Sequence, residues 1–148
     1  MVTFTRAAGD VDDATGPIRQ RRWRKATDLA LSKGDIVTFQ TGTAVKALST
    51  TFGPYGVVTK DHAATLPEVE VFIQTKATIY VVAAPDCIYG SYVGVDDDGK
   101  IVPITYATAN PLHVLGWLVN PGDSNYDGVN QPANTLDDDI AGIILGVQ

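Results

Sequence analysis

The chain has 148 residues, 45% of them apolar and 19% charged, which is the composition of an ordinary globular domain with enough material for one core. No apolar run approaches the roughly 20 residues of a membrane-spanning helix, and the N-terminus lacks the apolar core of a signal peptide. The single cysteine, Cys87, excludes an intrachain disulfide, so folding rests on packing. The net charge of −6 is uneven, with residues 1–25 carrying +3 and the remainder −9. A basic segment on an acidic body bears on partners rather than on fold.

Met1–Gly16 has no sustained periodicity and reads as an extended or disordered tail. Pro17–Lys25 then concentrates Arg19, Arg21, Arg22, Trp23 and Arg24. Three readings stand: an arm docking on an acidic protein surface with Trp23 as apolar anchor, a solvated segment with one packed tryptophan, or a nucleic-acid arm. The acidic remainder argues against nucleic acid, since a binder should be basic over its contact face. Ala26–Leu31 fits both helix and strand spacing and is read as extended.

From Ser32 onward the chain reads as a meander of short strands with no room for a helix. Gly34 and Asp35 supply a turn, and Ile36–Gln40 is β-branched and aromatic. Thr41-Gly42 is a tight connection to Thr43–Leu48, and Phe52–Gly56 turns into Gly56–Thr59. After a loop at Asp61–Pro67, Glu68–Gln74 alternates, which puts Val69, Val71 and Ile73 on one face. Thr78–Ala83 is a further strand ended by Pro85-Asp86. Ile88–Val95 leads into Asp96-Asp97-Asp98-Gly99, whose Asp-Gly step provides the positive φ of a hairpin, and Pro103 places the return strand at an edge or bulge. Thr105–Pro111 is a loop, and His113–Val119 is a buried-type strand. Asn120–Thr135 is a long polar loop, and Ile140–Val147 is a last apolar strand expected inside a sheet. Tyr55-Gly56-Val57-Val58, Leu115-Gly116-Trp117-Leu118 and Ala141-Gly142-Ile143-Ile144 share a Gly-then-apolar pattern, a weak internal similarity. The expected architecture is all-β: a small β-barrel or sandwich of short antiparallel strands at 33–148, with an extended basic N-terminal arm at 1–32.

Catalytic chemistry has little to build on. Cys87 with His62 or His113 supplies the residue types of a nucleophile and base, without a local signature. The simpler reading is a buried thiol, a surface histidine and a packed one. No Gly-rich phosphate loop or zinc spacing occurs. Asp123, Asn125 and Asp127, with Gly128 in sixth place, match the first half of a calcium loop, but Asn134 stands where the bidentate Glu belongs. Asp96–Asp98 reads as a solvated hairpin tip. No cofactor and no enzymatic activity are expected.

Gly34-Asp35-Ile36-Val37, Tyr55-Gly56-Val57-Val58 and the alternating Val69–Ile73 run are similar to the opening of small tailed-phage capsid decoration, or cement, proteins. Gly90-Ser91-Tyr92-Val93 before Asp98-Gly99-Lys100-Ile101 continues the resemblance. So do Leu115-Gly116-Trp117-Leu118-Val119 before Pro121-Gly122-Asp123, and the closing Ile140–Leu145 run. The resemblance implies a non-enzymatic virion protein that binds the outside of an assembled icosahedral head and stabilises it. It implies the major capsid protein as partner, homotrimers at local three-fold positions, and residence on the capsid exterior after assembly in the host cytoplasm. Arg19, Arg21, Arg22, Trp23 and Arg24 are the expected docking residues, with no nucleic-acid or membrane partner. The alternatives are a calcium- or carbohydrate-binding adhesion module using Asp123, Asn125, Tyr126 and Asp127, a tail or fibre component, and a small hydrolase using Cys87 or His62.

Overall fold

A computed structural model describes residues 5–12, 20–73, 77–104, 113–122 and 133–146. Among these, eleven strands and no α-helix occur. The strands are β1 Val11–Asp12, β2 Gln20–Arg24, β3 Ile36–Gln40, β4 Thr43–Lys46, β5 Tyr55–Val58, β6 Glu68–Phe72, β7 Thr78–Ala83, β8 Tyr92–Val95, β9 Ile101–Pro103, β10 Gly116–Pro121 and β11 Asp139–Leu145. The all-β class holds. The opening meander is β3 to β5, and the Asp-Gly hairpin joins β8 to β9 with Gly99 at φ 79°. The last strand lies inside its sheet, between β7 and β10.

The strands form two sheets, ordered β2-β6-β5-β3-β4 and β1-β7-β11-β10-β8-β9. In the second sheet Ala83 of β7 pairs in parallel with Ile101 of β9, closing five strands into a barrel. Lys25, just past β2, bridges Ala44 of β4 in parallel, so the first sheet curls shut in the same way. Taking β2 to β6 in turn against β7 to β11, the two strand orders are the same. The registers agree as well. In the first sheet Ile36, Val57 and Phe72 lie side by side across β3, β5 and β6. In the second, Tyr92, Trp117 and Ile144 lie side by side across β8, β10 and β11. Val37, Val58 and Val71 correspond in turn to Val93, Leu118 and Ile143. The chain is therefore two copies of one five-stranded design. Gly56 and Gly116, which share the Gly-then-apolar pattern, occupy equivalent places.

Alternation along each strand sorts the apolar residues. Val37, Ala44, Val58, Val69 and Val71 point into the first barrel and are fully buried with Leu31, and Trp23 and Ile73 pack against them. Their neighbours Ile36, Val57 and Phe72 point out of that barrel. They are nonetheless buried, because they join Ile79, Val81, Val93, Leu118 and Ile143 of the second barrel in one cluster. Polar contacts flank this junction. The backbone N–H and hydroxyl of Ser49 donate to Asp97 at 2.9 and 2.8 Å, and His113 Nδ1 lies 2.8 Å from the Thr51 carbonyl with its ring 4.4 Å from Phe52.

Two expectations are corrected. Residues 5–12 are not a free tail. β1 pairs with β7, the Gly9 N–H donates to the Tyr80 carbonyl, and Lys33 reaches Asp10 at 2.5 Å, so the segment ties one barrel to the other. The Tyr80 hydroxyl donates to Asp12 at 2.7 Å, and burial together with that carboxylate pushes its pKa up to about 12. Nor do residues 20–24 extend from the body as an arm: every residue of β2 is in register with β6, from Gln20 opposite Phe72 to Arg24 opposite Glu68. The strand is illegible in the sequence because four of its five residues are exposed and only Trp23 turns inward. Pairing crosses the boundary expected at residue 33.

Gly116 is fixed by its neighbours: a Cβ there would fall 2.2 Å from the Ile144 carbonyl oxygen. Gly116→Ala should lower unfolding free energy by about 2 kcal/mol through forced backbone displacement. Leu118→Ala should lower it by about 3 kcal/mol through a cavity in the second barrel. Urea titration followed by far-UV circular dichroism reads both, and an unchanged midpoint for Gly116→Ala would refute the close approach.

Candidate functional site

The outward face of β2 and β6 carries charged residues that the sequence singled out. Alternation puts Arg22 and Arg24 on it, opposite Glu70 and Glu68. Arg22 reaches Glu70 at 3.5 Å and Lys60 reaches the same carboxylate at 3.2 Å. The Lys60 hydrogen bond, chiefly, holds the Glu70 carboxyl below its usual range. Arg22 and Lys60 nonetheless remain 72% and 60% exposed at the side chain, so both cations are offered to solvent. A cleft of about 560 Å³ lies under them, bounded by Asp61, His62, Leu66 and Glu68. Arg21 belongs to the other face of β2, the one that turns Trp23 inward against Phe39 with ring centroids 5.2 Å apart. Arg21, Arg22 and Arg24 are thus brought onto one short strand, but split between its two faces. Arg19 lies outside the described residues.

Trp23 is a partly buried packing residue of the first barrel rather than a projecting anchor. Beside it, Lys25 has a role that no residue pattern marks. This lysine is 4% exposed, and its ammonium donates to the Leu29 carbonyl and, at 3.0 Å, to the Ala64 carbonyl. It pins the end of β2 to the loops on either side. Only the fold reveals the role, because carbonyl partners leave no signature in a sequence.

The residues considered for catalysis are dispersed into structural roles. His62 is buried, with Nδ1 2.8 Å from the Lys60 carbonyl and Nε2 accepting the Glu70 N–H at 3.3 Å. That commits both ring nitrogens within the first barrel. Cys87 is buried in the second barrel, its thiol 3.4 Å from the Ile101 carbonyl, and burial pushes its pKa up, opposite to what an activated nucleophile needs. His113 is at the junction between the barrels.

The acidic hairpin is likewise engaged. Asp96 accepts the N–H groups of Asp98 and Lys100, both at 2.9 Å, and Asp97 accepts from Ser49. Among the described residues no group of three potential ligands could hold a metal ion. Asp123, Asn125, Tyr126 and Asp127 lie outside the described residues.

No protein-family model matches the chain, and no curated protein sequence matches it. The fold is similar to a crystal structure, the N base of head fiber gp8.5 in bacteriophage phi29, with a TM-score of 0.58. Identity is 16%, and the match covers 86% of this chain and 95% of that one. The paired-barrel fold is thus shared over nearly the whole length of that chain.

Lys25→Met leaves two carbonyls without their donor and should cost about 2 kcal/mol in urea unfolding; no loss would show that water replaces the ammonium. Asp10, Glu70 and Asp97 are all held below their ordinary ranges, by Lys33, Lys60 and Ser49 respectively. Their folded forms bind fewer protons than the unfolded chain, so their stabilisation is present above about pH 4 and lost as pH falls through the lowered values. The thermal midpoint should therefore drop on acidification, and less so in Asp10→Asn. Identical acid profiles for both proteins would refute the Asp10 contribution.

Proposed function

We propose that this chain is a structural protein of a tailed-phage virion, carried on the outside of the head and bound to the major capsid protein. The supporting observation is the fold shared over 86% of the chain with a head-fiber base, a part whose name places it on a phage head. The residue-level resemblance to decoration proteins favours a cement function, in which many copies stabilise the assembled shell because they bind only that state. It also favours homotrimers at local three-fold positions. The similarity to a fiber base equally favours a second reading, in which the two barrels are the foot of a longer head appendage.

In either reading Arg21, Arg22 and Arg24 on β2 supply bidentate contacts to capsid carboxylates, and Arg19 precedes them in sequence. The acidic remainder of the chain, at −9, is unsuited to nucleic acid.

Co-sedimentation with heads lacking the protein tests this. Saturable binding is expected, with a Kd weakened about tenfold or more in Arg21→Ala/Arg22→Ala at unchanged far-UV circular dichroism. No binding by the parent protein would overturn the head assignment, and unchanged occupancy by the double variant would overturn the arginine assignment. Particles that gain heat resistance on binding would favour cement over an appendage foot.

A further inference from the structure

The two barrels differ at one edge. Arg21 lies opposite Val71 as Ile79 lies opposite Ile143, so Arg21, Arg22, Trp23 and Lys25 of the first barrel answer to Ile79, Tyr80, Val81 and Ala83 of the second. The closing bridges agree with that alignment. Lys25 pairs with Ala44 where Ala83 pairs with Ile101, and the Ala26 N–H donates to the Ala44 carbonyl where the Ala84 N–H donates to that of Ile101. Beyond its bridge, β7 carries a further strand, β1, on the side away from β11. There the Tyr80 N–H donates to the Asp10 carbonyl, and the Tyr80 carbonyl accepts the Gly9 N–H. β2 has no such neighbour among the described residues: apart from the Lys25 bridge, it ends its sheet beside β6.

That edge points its hydrogen-bonding groups outward. The Lys25 N–H donates to the Pro67 carbonyl. Alternation along an antiparallel ladder then gives the bonds to β6 to Arg21 and Trp23, and turns the N–H and carbonyl groups of Gln20 and Arg22 the other way. Arg22 is thus the counterpart of Tyr80 in backbone direction as well as in position. The side chains indicate which strand fits. On β7 the added strand brings Asp12, whose carboxylate accepts the Tyr80 hydroxyl at 2.7 Å. On β2 the same place holds a guanidinium, a stronger and bidentate donor to a carboxylate. Arg22 is 72% exposed beside its long contact to Glu70, and Arg21 and Arg24 make no ion pair with a described residue. Arginines at an open edge turn away neutral and basic strands and leave room for an acidic one.

We propose that the edge of β2 at Gln20–Arg22 is a strand-addition site, and that its occupant is an extended acidic segment of a partner protein. The segment lies antiparallel to β2 as β1 does to β7, exchanging backbone hydrogen bonds with Gln20 and Arg22. It sets a carboxylate against Arg22 in the place that Asp12 takes against Tyr80. Asp10-Val11-Asp12 of β1 is the template, a run with acidic residues at alternate positions. The site follows from the equivalence of the two barrels and is independent of the virion reading.

Amide hydrogen exchange of the full chain, read by NMR with and without an end-blocked heptapeptide of alternating Val and Asp, tests it. The Gln20 and Arg22 N–H groups should exchange freely in the protein alone and slow by about tenfold or more with the peptide bound. The same peptide with Lys in place of Asp should bind about tenfold more weakly or worse, and Arg22→Ala should weaken the acidic peptide by a similar factor at an unchanged far-UV spectrum. Only alternate N–H groups of an added strand face its neighbour. Of two peptides N-methylated at every Val or at every Asp, one should therefore lose binding. This control needs no change to the protein, so misfolding cannot imitate it. Gln20 and Arg22 amides already protected without peptide, amides left unprotected with it, or full binding by both N-methylated peptides would each overturn strand addition. A Lys peptide that binds as well as the Asp peptide would overturn the acidic occupant.

Discussion

The row Ile36–Val57–Phe72 has to be apolar on the outside of a barrel, and much of the molecule depends on that. A five-stranded barrel of this size has a thin interior: Val37, Ala44, Val58, Val69 and Val71 fill the first one with small and β-branched side chains. A core so small stabilises weakly, since buried area rises steeply with domain size. Turning a second apolar row outward and burying it against another barrel merges Ile36, Val57 and Phe72 into the larger cluster around Val81, Leu118 and Ile143. Each barrel then contributes to the other's burial, and the N-terminal segment and the Ser49–Asp97 contact hold the two in register.

Charge also serves to tie segments together. Several carboxylates near turns cap backbone N–H groups: Asp35 for Ser32, Asp61 for Lys33, Asp96 for its own hairpin and Asp139 for Leu136. Lysines bridge what the strands leave apart, as Lys100 does between the β8–β9 hairpin and Asp137 and Asp138 at 3.1 and 2.9 Å. An acidic chain without a metal cluster among its described residues is thus accounted for in part by loop capping. Arg22 on β2 differs, since its ion pair with Glu70 is long and its side chain stays largely in water. An exposed strand rich in arginine also resists unwanted strand addition.

Strands with strong local signals are legible from residue types alone. Thr78–Ala83 is a β-branched apolar run closed by a proline, and it is β7 residue for residue. The Asp-Gly hairpin and the alternating Val69, Val71 and Ile73 face are legible for the same reason, because turn chemistry and period two are local properties. β1 and β2 are not legible. Val11–Asp12 is two residues long, and Gln20–Arg24 is dominated by arginine, so what makes them strands is the partner each one finds, β7 and β6, far along the chain. The roles of His62 and Lys25 are hidden too, since both are set by carbonyl and amide groups that every residue carries.

Residue order alone is enough for the class, most strand positions, the turns that separate them and the lack of a disulfide. Those follow from side-chain period, β-branching and the φ preferences of Gly, Asp and Pro, which act over a few residues. That there are two barrels and not one emerges only in three dimensions, because the equivalence of Val57 with Trp117, or of Lys25 with Ala83, is one of register and not of residue type. Barrel closure by one parallel bridge in each half joins residues that are far apart in the chain, and no local pattern encodes which distant edge a strand will meet. For the same reason Trp117, which sits in an apolar run with the look of a buried strand, is in the fold an outward residue: period two says which residues share a face, and only the neighbouring barrel says whether that face is covered.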